Sequence, residues 1–158
     1  MRVLTVFCAS AVTRAFAPRA ATSLQRVRLS ADVGSSEFLA SLEDPFVLDV
    51  RDAGERDAGK GGPPASIAGA AHVPLNVDGE PQSERLTTAD EFAAKLAAAG
   101  VELPADRPIV THCGSGGRGG KAAAILRGLG YDAHNGGSPA NVAAALAIAN
   151  SIADAIYP

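Results

Sequence analysis

The residues of this chain best suited to covalent chemistry fall in one run, Ile109-Val110-Thr111-His112-Cys113-Gly114-Ser115-Gly116-Gly117-Arg118-Gly119-Gly120. A strand-like segment delivers a cysteine, glycines follow at once, and Lys121 to Arg127 has the composition of a helix. A cysteine at a strand's C-terminal end and a helix's N-terminal start sits where ligands bind in open parallel sheets. Unpaired backbone N–H groups and the helix dipole favour negative charge at such a place. Both effects lower a thiol's pKa and make it a thiolate nucleophile. The plain alternative is an inert cysteine packed at the end of a core strand, but packing alone does not call for so many glycines after it.

The other titratable candidates are weaker. His112 precedes Cys113 on the same strand and therefore points to the opposite face, which argues against a general base. His72 reads as a residue packed beside the sheet and His134 as an exposed loop or strand residue. No group of His, Cys and carboxylate residues has metal-ligand spacing, so no metal or other cofactor is expected. The glycine run lacks the glycine order of a dinucleotide fingerprint and the Gly-Lys-Ser/Thr ending of a phosphate loop.

Elements that would position Cys113 can be read on both sides of it. Ser35 to Leu42 opens with cap residues and sets Phe38, Leu39 and Leu42 on one helical face. Phe46-Val47-Leu48-Asp49-Val50 is a short, nearly continuous apolar run, as expected of a strand buried on both faces. Ala53 to Ala68 is rich in Gly and Pro and reads as loop. Ala71 to Leu75 suggests a second short strand that stops at Pro74. Thr88 and Glu91 form a capping box for a helix that runs to Ala99, with Gly100 as its stop. Ile109 to Thr111 is the strand before the cysteine, and a helix is expected from about Gly119 to Leu126. Tyr131 to His134 reads as a weak last strand, Asn135-Gly136-Gly137 as a turn, and Asn141 to about Ala155 as a helix with Ser138 and Pro139 at its start. That helix is apolar but interrupted by Asn150 and Asp154, so it is expected to pack on the domain rather than enter a membrane, and no membrane partner is expected of the mature form. Alternation of this kind predicts a parallel sheet covered by helices on both faces.

Length and charge narrow the classes further. The 158 residues suffice for one domain with a real core. Residues 1–30 carry five arginines and no acid, whereas the rest carries nine basic and seventeen acidic residues. The acidic remainder holds no basic patch, which argues against nucleic acid as a partner. The basic start reads as a targeting segment ahead of a domain spanning residues 31–158. Within it, residues 1–15 have an apolar core of signal-peptide length, too short to span a bilayer. Residues 16–30 are rich in Arg, Ser, Thr and Ala, like a transit peptide. The two parts, joined at Phe16-Ala17-Pro18, resemble the bipartite presequences of algae with complex plastids, so a plastid is expected, with a mitochondrion as the alternative. Removal of this segment would take Cys8 with it, and the distance between Cys8 and Cys113 argues against a disulfide framework.

Three segments together resemble the rhodanese-like, single-domain sulfurtransferase family. They are Val47-Leu48-Asp49-Val50-Arg51-Asp52 with Glu55; Ile67 to Leu75; and the Cys113 loop with Gly128-Leu129-Gly130-Tyr131 and Asn135-Gly136-Gly137. The resemblance covers about residues 35–145. It implies a three-layer α/β fold with a mostly parallel sheet of about five strands. It also implies that Cys113 takes a sulfane sulfur from a small anionic donor, thiosulfate or mercaptopyruvate, and passes the persulfide sulfur to a thiol or to cyanide, with a protein acceptor left open. Gly114, Ser115, Gly116, Gly117 and Arg118 would then bind the substrate. Their amides aim at the transferred sulfur as an oxyanion hole aims at oxygen, and Arg118 folds back as a fixed cation. In such domains Asp49 and Arg51 stand at the end of the first core strand as a structural ion pair or loop anchor.

The chain departs from the family pattern in two places. Arg56 replaces an aromatic, and Gly59 to Ser66 forms a Gly- and Pro-rich insertion where a short Gly-His-Ile bridge is usual, with Ser66 nearest the missing histidine. Gly114 and Gly116 stand where thiosulfate-using loops often carry Arg or Lys. Cys-Gly-Ser-Gly is instead similar to the opening of mercaptopyruvate sulfurtransferase loops, in which case Ser115 would hydrogen-bond the substrate. Cysteine-dependent phosphatases share the strand–cysteine–helix layout, but their arginine falls one residue later, where this chain has Gly119. A binding module that holds an anion or a partner's tail without turnover is the other alternative.

Overall fold

The computed structural model describes residues 32–77 and 87–156. The targeting segment assigned to residues 1–30, Cys8 included, lies outside the described residues. Four strands, β1 (Phe46–Asp49), β2 (Ala71–His72), β3 (Ile109–His112) and β4 (Ala133–Gly137), form one sheet in the order β2-β1-β3-β4. Every pairing is parallel, with Phe46 opposite Ile109 and Asp49 opposite His112. The two central strands therefore end side by side, β1 leading to Arg51 and β3 to Cys113.

Alternation along these strands sorts the helices into two layers. Leu48, Ile109, Cys113 and Ala133 pack with Phe92 and Leu96 of α3 (Ala89–Ala98) and with Ala122, Ala123 and Leu126 of α4 (Gly117–Gly128). On the other face Val47 and Val110 pack with Leu39 of α1 (Ser36–Ala40) and with Val142 and Ala145 of α5 (Pro139–Ile156). This is the three-layer α/β arrangement that the helix–strand alternation predicts. β1 and β3 are almost wholly buried, which is why they read as apolar runs rather than alternating ones.

The described residues hold four strands rather than about five. Along β4, at the sheet edge, the Gly34 N–H donates to the Asn135 carbonyl at 2.8 Å, so the incoming chain leans on the edge with one bond instead of pairing as a strand. A further short helix, α2 (Ala53–Asp57), occupies part of the segment expected to be loop. Asp52-x-x-Glu55 starts it, the Glu55 carboxylate accepting the Asp52 N–H at 3.2 Å.

Asn135-Gly136-Gly137 belongs to β4 and is not a turn. A Cβ on Gly136 would stand 2.6 Å from Val142 and 2.7 Å from Val110, so that glycine marks the close approach of α5 to the sheet. α5 begins at Pro139, two residues sooner than expected, and Ser138 caps it through its hydroxyl, which accepts the Asn141 N–H at 3.2 Å. Its first half docks through Pro139, Val142 and Ala145, as the sequence leads one to expect. Its last two turns do not: residues 150–156 are exposed, Ile152 and Ile156 among them. The helix is long and apolar enough, by length and composition only, to cross a membrane.

Candidate active site

Cys113 leaves the C-terminal end of β3 with its N–H donating to the Gly137 carbonyl at 3.0 Å, which fixes the main chain where the loop begins. α4 starts at Gly117, sooner than the sequence suggests, with Gly116 as its N-cap at φ +99°. That left-handed conformation suits glycine, and it turns the chain sharply enough for the Gly116 N–H to donate to Cys113 Sγ at 3.1 Å. A side chain at Gly116 would also strike Val33 and the Gly137 backbone, 2.7 and 3.2 Å from an added Cβ.

Two contests set the state of the thiol. Burial opposes ionisation of Cys113, and it is the largest single influence. The amides of Gly119, Ser115, Gly116 and Arg118 together outweigh it and hold the thiol below its ordinary value. The ionised form of the thiol is thus favoured by main-chain dipoles at a helix start rather than by a cationic side chain. Cys113 is itself buried, 2% exposed. It borders a cleft of about 370 Å³ lined by the cysteine loop, the first turns of α4 and Lys60.

Of the residues expected here, Cys113, Gly114, Ser115, Gly117 and Arg118 all line that cleft. Gly116 is buried beneath the loop. Arg118 stands in the first turn of α4, and its guanidinium is engaged by two carboxylates. It pairs with Glu55 Oε2 at 2.5 Å and with Asp52 Oδ2 at 3.3 Å. The Arg118 amide, by contrast, takes part in the cradle around Sγ. His112 is buried on the face opposite Cys113, with Nδ1 3.9 Å from Asp49 Oδ1. Burial, chiefly, holds its pKa below the ordinary histidine value, so the ring is neutral at pH 7.

Asp49 and Arg51 sit at the neighbouring strand end as a buried pair. Arg51 is fully buried and its Nη2 meets Asp49 Oδ2 at 2.6 Å. The same guanidinium donates to the Lys60 carbonyl at 2.8 Å and to the Ala65 carbonyl at 2.6 Å. Arg51 therefore pins both ends of the Gly- and Pro-rich insertion. His72 completes the corner, its Nε2 lying 2.8 Å from the Arg51 carbonyl.

Sequence reasoning missed three residues that shape the site. Asn135, expected in a turn, donates from Nδ2 to the Gly116 carbonyl at 3.1 Å and accepts the Gly137 N–H at 3.0 Å, so it braces the cysteine loop from beneath. Lys60 pairs with Glu55 Oε1 at 2.5 Å and lays its stem against Gly114, whose added Cβ would be 3.4 Å from Lys60 Cγ. Lys121, on α4, lines the same cleft. The one cue to the first was an Asn before two glycines at a strand end; nothing in the insertion's composition singles out Lys60.

An open parallel sheet with a thiolate cradle at a strand's end, facing a small cleft, defines a cysteine-loop α/β domain. The rhodanese-like domain model matches residues 35–140, more than half of the chain, and the chain belongs to that family. No curated protein matches it.

Proposed function

We propose that the protein is a sulfurtransferase with Cys113 as its persulfide carrier. Domains of this family also occur in phosphatases and in non-catalytic modules, so the site must carry the reading. The observation that carries it is the amide cradle that lowers the Cys113 pKa at a strand end bordering a small cleft.

In the first half-reaction the Cys113 thiolate attacks the outer sulfur of the donor. A bond forms between Sγ and that sulfur as the donor's bond to it breaks, and the donor leaves with the electron pair. From thiosulfate the leaving group is sulfite; from mercaptopyruvate it is the pyruvate enolate, which takes up a proton. The terminal persulfide sulfur carries the negative charge, and the cradle amides that held the thiolate lie within the same loop to meet it. In the second half-reaction a thiolate or cyanide attacks that terminal sulfur, and the electron pair returns to Cys113. The reaction needs no cofactor. Phosphoryl transfer is disfavoured because the arginine of a phosphatase loop would fall at Gly119, and the neighbouring Arg118 guanidinium is paired with Asp52 and Glu55.

Intact-protein mass spectrometry after thiosulfate, and separately after mercaptopyruvate, tests this. The expected result is a gain of one sulfur, discharged by cyanide and missing in Cys113→Ser. No gain with either donor would favour the binding module. The basic, acid-free N-terminal segment supports delivery to a plastid, or failing that a mitochondrion; residues 1–30 fused to a fluorescent reporter would show which.

A further inference from the structure

Cys113 is buried, so a molecule that reacts with its sulfur must come through the cleft that it borders. One wall of that cleft belongs neither to the cysteine loop nor to α4. It is Lys60, the second residue of the Gly- and Pro-rich insertion.

The insertion is held against the cysteine loop by contacts along its length. Arg51 donates to the Lys60 and Ala65 carbonyls, and the Lys60 N–H donates to the Glu55 carbonyl at 2.9 Å. The pairing of the Lys60 ammonium with Glu55 lays the lysine stem along Gly114, where an added Cβ would stand 3.4 to 3.7 Å from Cγ, Cδ and Cε of Lys60. Gly61 takes φ +101°, and an added Cβ there would stand 2.7 Å from Pro139 and 2.8 Å from the Gly114 carbonyl oxygen. A Cβ on Gly62 would lie 3.3 Å from that of Ala140. The insertion thus bridges the cysteine loop and the first turn of α5 at distances that leave no room for a side chain at Gly61. Pro63 and Pro64 stiffen the exposed remainder, since each ring fixes its own φ. Glycine has here made close packing possible, and the result is a wall rather than a mobile cover.

We propose that this wall is a size filter: it admits small molecules to Cys113 and turns away protein thiols, so that the persulfide sulfur passes to a small thiol or to cyanide. This rests on the sulfur-transfer reading of the same site. In the step concerned, the acceptor thiolate forms a bond to the terminal sulfur as the bond from that sulfur to Sγ breaks. The electron pair stays on Sγ, and the acceptor leaves as a persulfide. The terminal sulfur lies only about 2 Å beyond Sγ, so it is still beside Gly114 and the Lys60 stem. A small thiol carries its sulfur to that depth. A cysteine on a folded protein brings its flanking backbone, which meets residues 60–62 first.

The filter is read without turnover by alkylating Cys113 in the full chain with iodoacetamide and with pyrenyl iodoacetamide, two neutral reagents of unequal bulk with the same reacting group. Peptide mass spectrometry separates Cys113 from Cys8. Dividing each rate by the rate with glutathione, and then taking the ratio of the two, removes the influence of the thiol pKa. On that scale the wild type should react with the pyrenyl reagent about tenfold more slowly. Lys60→Ala, which takes the stem off Gly114, should recover most of the loss. Lys60→Met matches the stem in bulk without its charge and should keep the filter. Gly61→Ala, whose Cβ must push the insertion away from the Gly114 carbonyl, should open it. In sulfur transfer the Cys113 persulfide should discharge to free cysteine faster than to reduced thioredoxin, each rate normalised to that with glutathione persulfide, and Lys60→Ala should narrow the difference.

A wild-type ratio equal to that of glutathione would overturn the proposal. So would a suppressed ratio that Lys60→Ala and Gly61→Ala both leave in place, because the barrier would then lie in the cysteine loop itself. Discharge to thioredoxin as fast as to free cysteine on the normalised scale would overturn it as well. A wild type that excludes the pyrenyl reagent but takes no sulfur from thiosulfate or mercaptopyruvate would leave the filter standing and remove the sulfur-transfer reading instead.

Discussion

Two acidic groups stand at adjacent strand ends of this sheet, and their ionised forms are favoured in opposite ways. At the end of β1 the Asp49 carboxylate meets the fully buried Arg51 guanidinium, whose remaining donors reach the Lys60 and Ala65 carbonyls. At the end of β3 the Cys113 sulfur meets main-chain amides and an open cleft. A charge matched by a buried side chain on every side has no room for a ligand and serves the fold. A charge matched by dipoles on one side only is left available for chemistry. Similar positions in one parallel sheet have thus become an anchor and a nucleophile through the type of partner each received.

The difference is broken most completely at the nucleophile. Cys113→Ser should abolish sulfur uptake while the thermal midpoint moves by no more than about 3 °C, because the hydroxyl is close in size and can still accept the Gly116 N–H. Mass spectrometry and a melting curve suffice, and wild-type uptake in the variant would refute the assigned role.

The anchor should respond the other way. Arg51→Met leaves Asp49 buried without its counterion, and removal of one member of such a pair costs about 3–5 kcal/mol. Urea unfolding should show that loss, and the further change Asp49→Asn should recover part of it. A loss below about 1 kcal/mol would mean the pair is not the anchor described here.

Acid should separate the two strand ends as well. Asp49 is strongly desolvated, yet the hydrogen bonds from Arg51 hold its carboxyl below the usual range, and Glu55 is likewise lowered by Lys60 and Arg118 against its own desolvation. A carboxyl whose folded pKa is depressed contributes stability that is present above its unfolded value, about 4, and lost as pH falls through the folded one. His112, buried and held neutral, adds an earlier loss, since below its unfolded value of about 6.5 the unfolded state binds a proton that the folded state resists. Stability should therefore decline in two stages on acidification. The variant Arg51→Met/Asp49→Asn should flatten the lower one, and an unaltered acid limb would contradict the assignment.

The smallest effect is expected at Gly116→Ala. A left-handed alanine costs about 1–2 kcal/mol, and its Cβ would crowd Val33. The displaced amide should raise the Cys113 pKa as well as lower stability. A stability loss with the thiol pKa unchanged would show that Gly116 serves only the turn.

How much of this was legible in the sequence follows from the range of each interaction. β1 and β3 could be read because both their faces are buried and their apolar runs are continuous. The cysteine loop could be read because strand, thiol, glycines and helix are consecutive. The helix α2 was hidden in a Gly- and Pro-rich stretch whose one local signal was Asp52-x-x-Glu55. Asn135-Gly136-Gly137 looked like a turn because glycine serves both turns and close packing, and only the position of α5 shows which applies. Arg118 looked available for the same reason: its partners Asp52 and Glu55 lie far off in sequence, as Lys60 does from Cys113, and only the parallel pairing of β1 with β3 brings them together.

The comparison rests on one balance, amide dipoles against burial at Cys113, and the pH dependence of iodoacetamide alkylation in the full chain measures it directly. Because the full chain also carries Cys8, the rate at Cys113 is followed by peptide mass spectrometry. The account predicts a single titration with its midpoint below the ordinary cysteine value of about 8.5. A midpoint at or above that value would mean that burial wins, and that Cys113 is a packed thiol rather than a nucleophile.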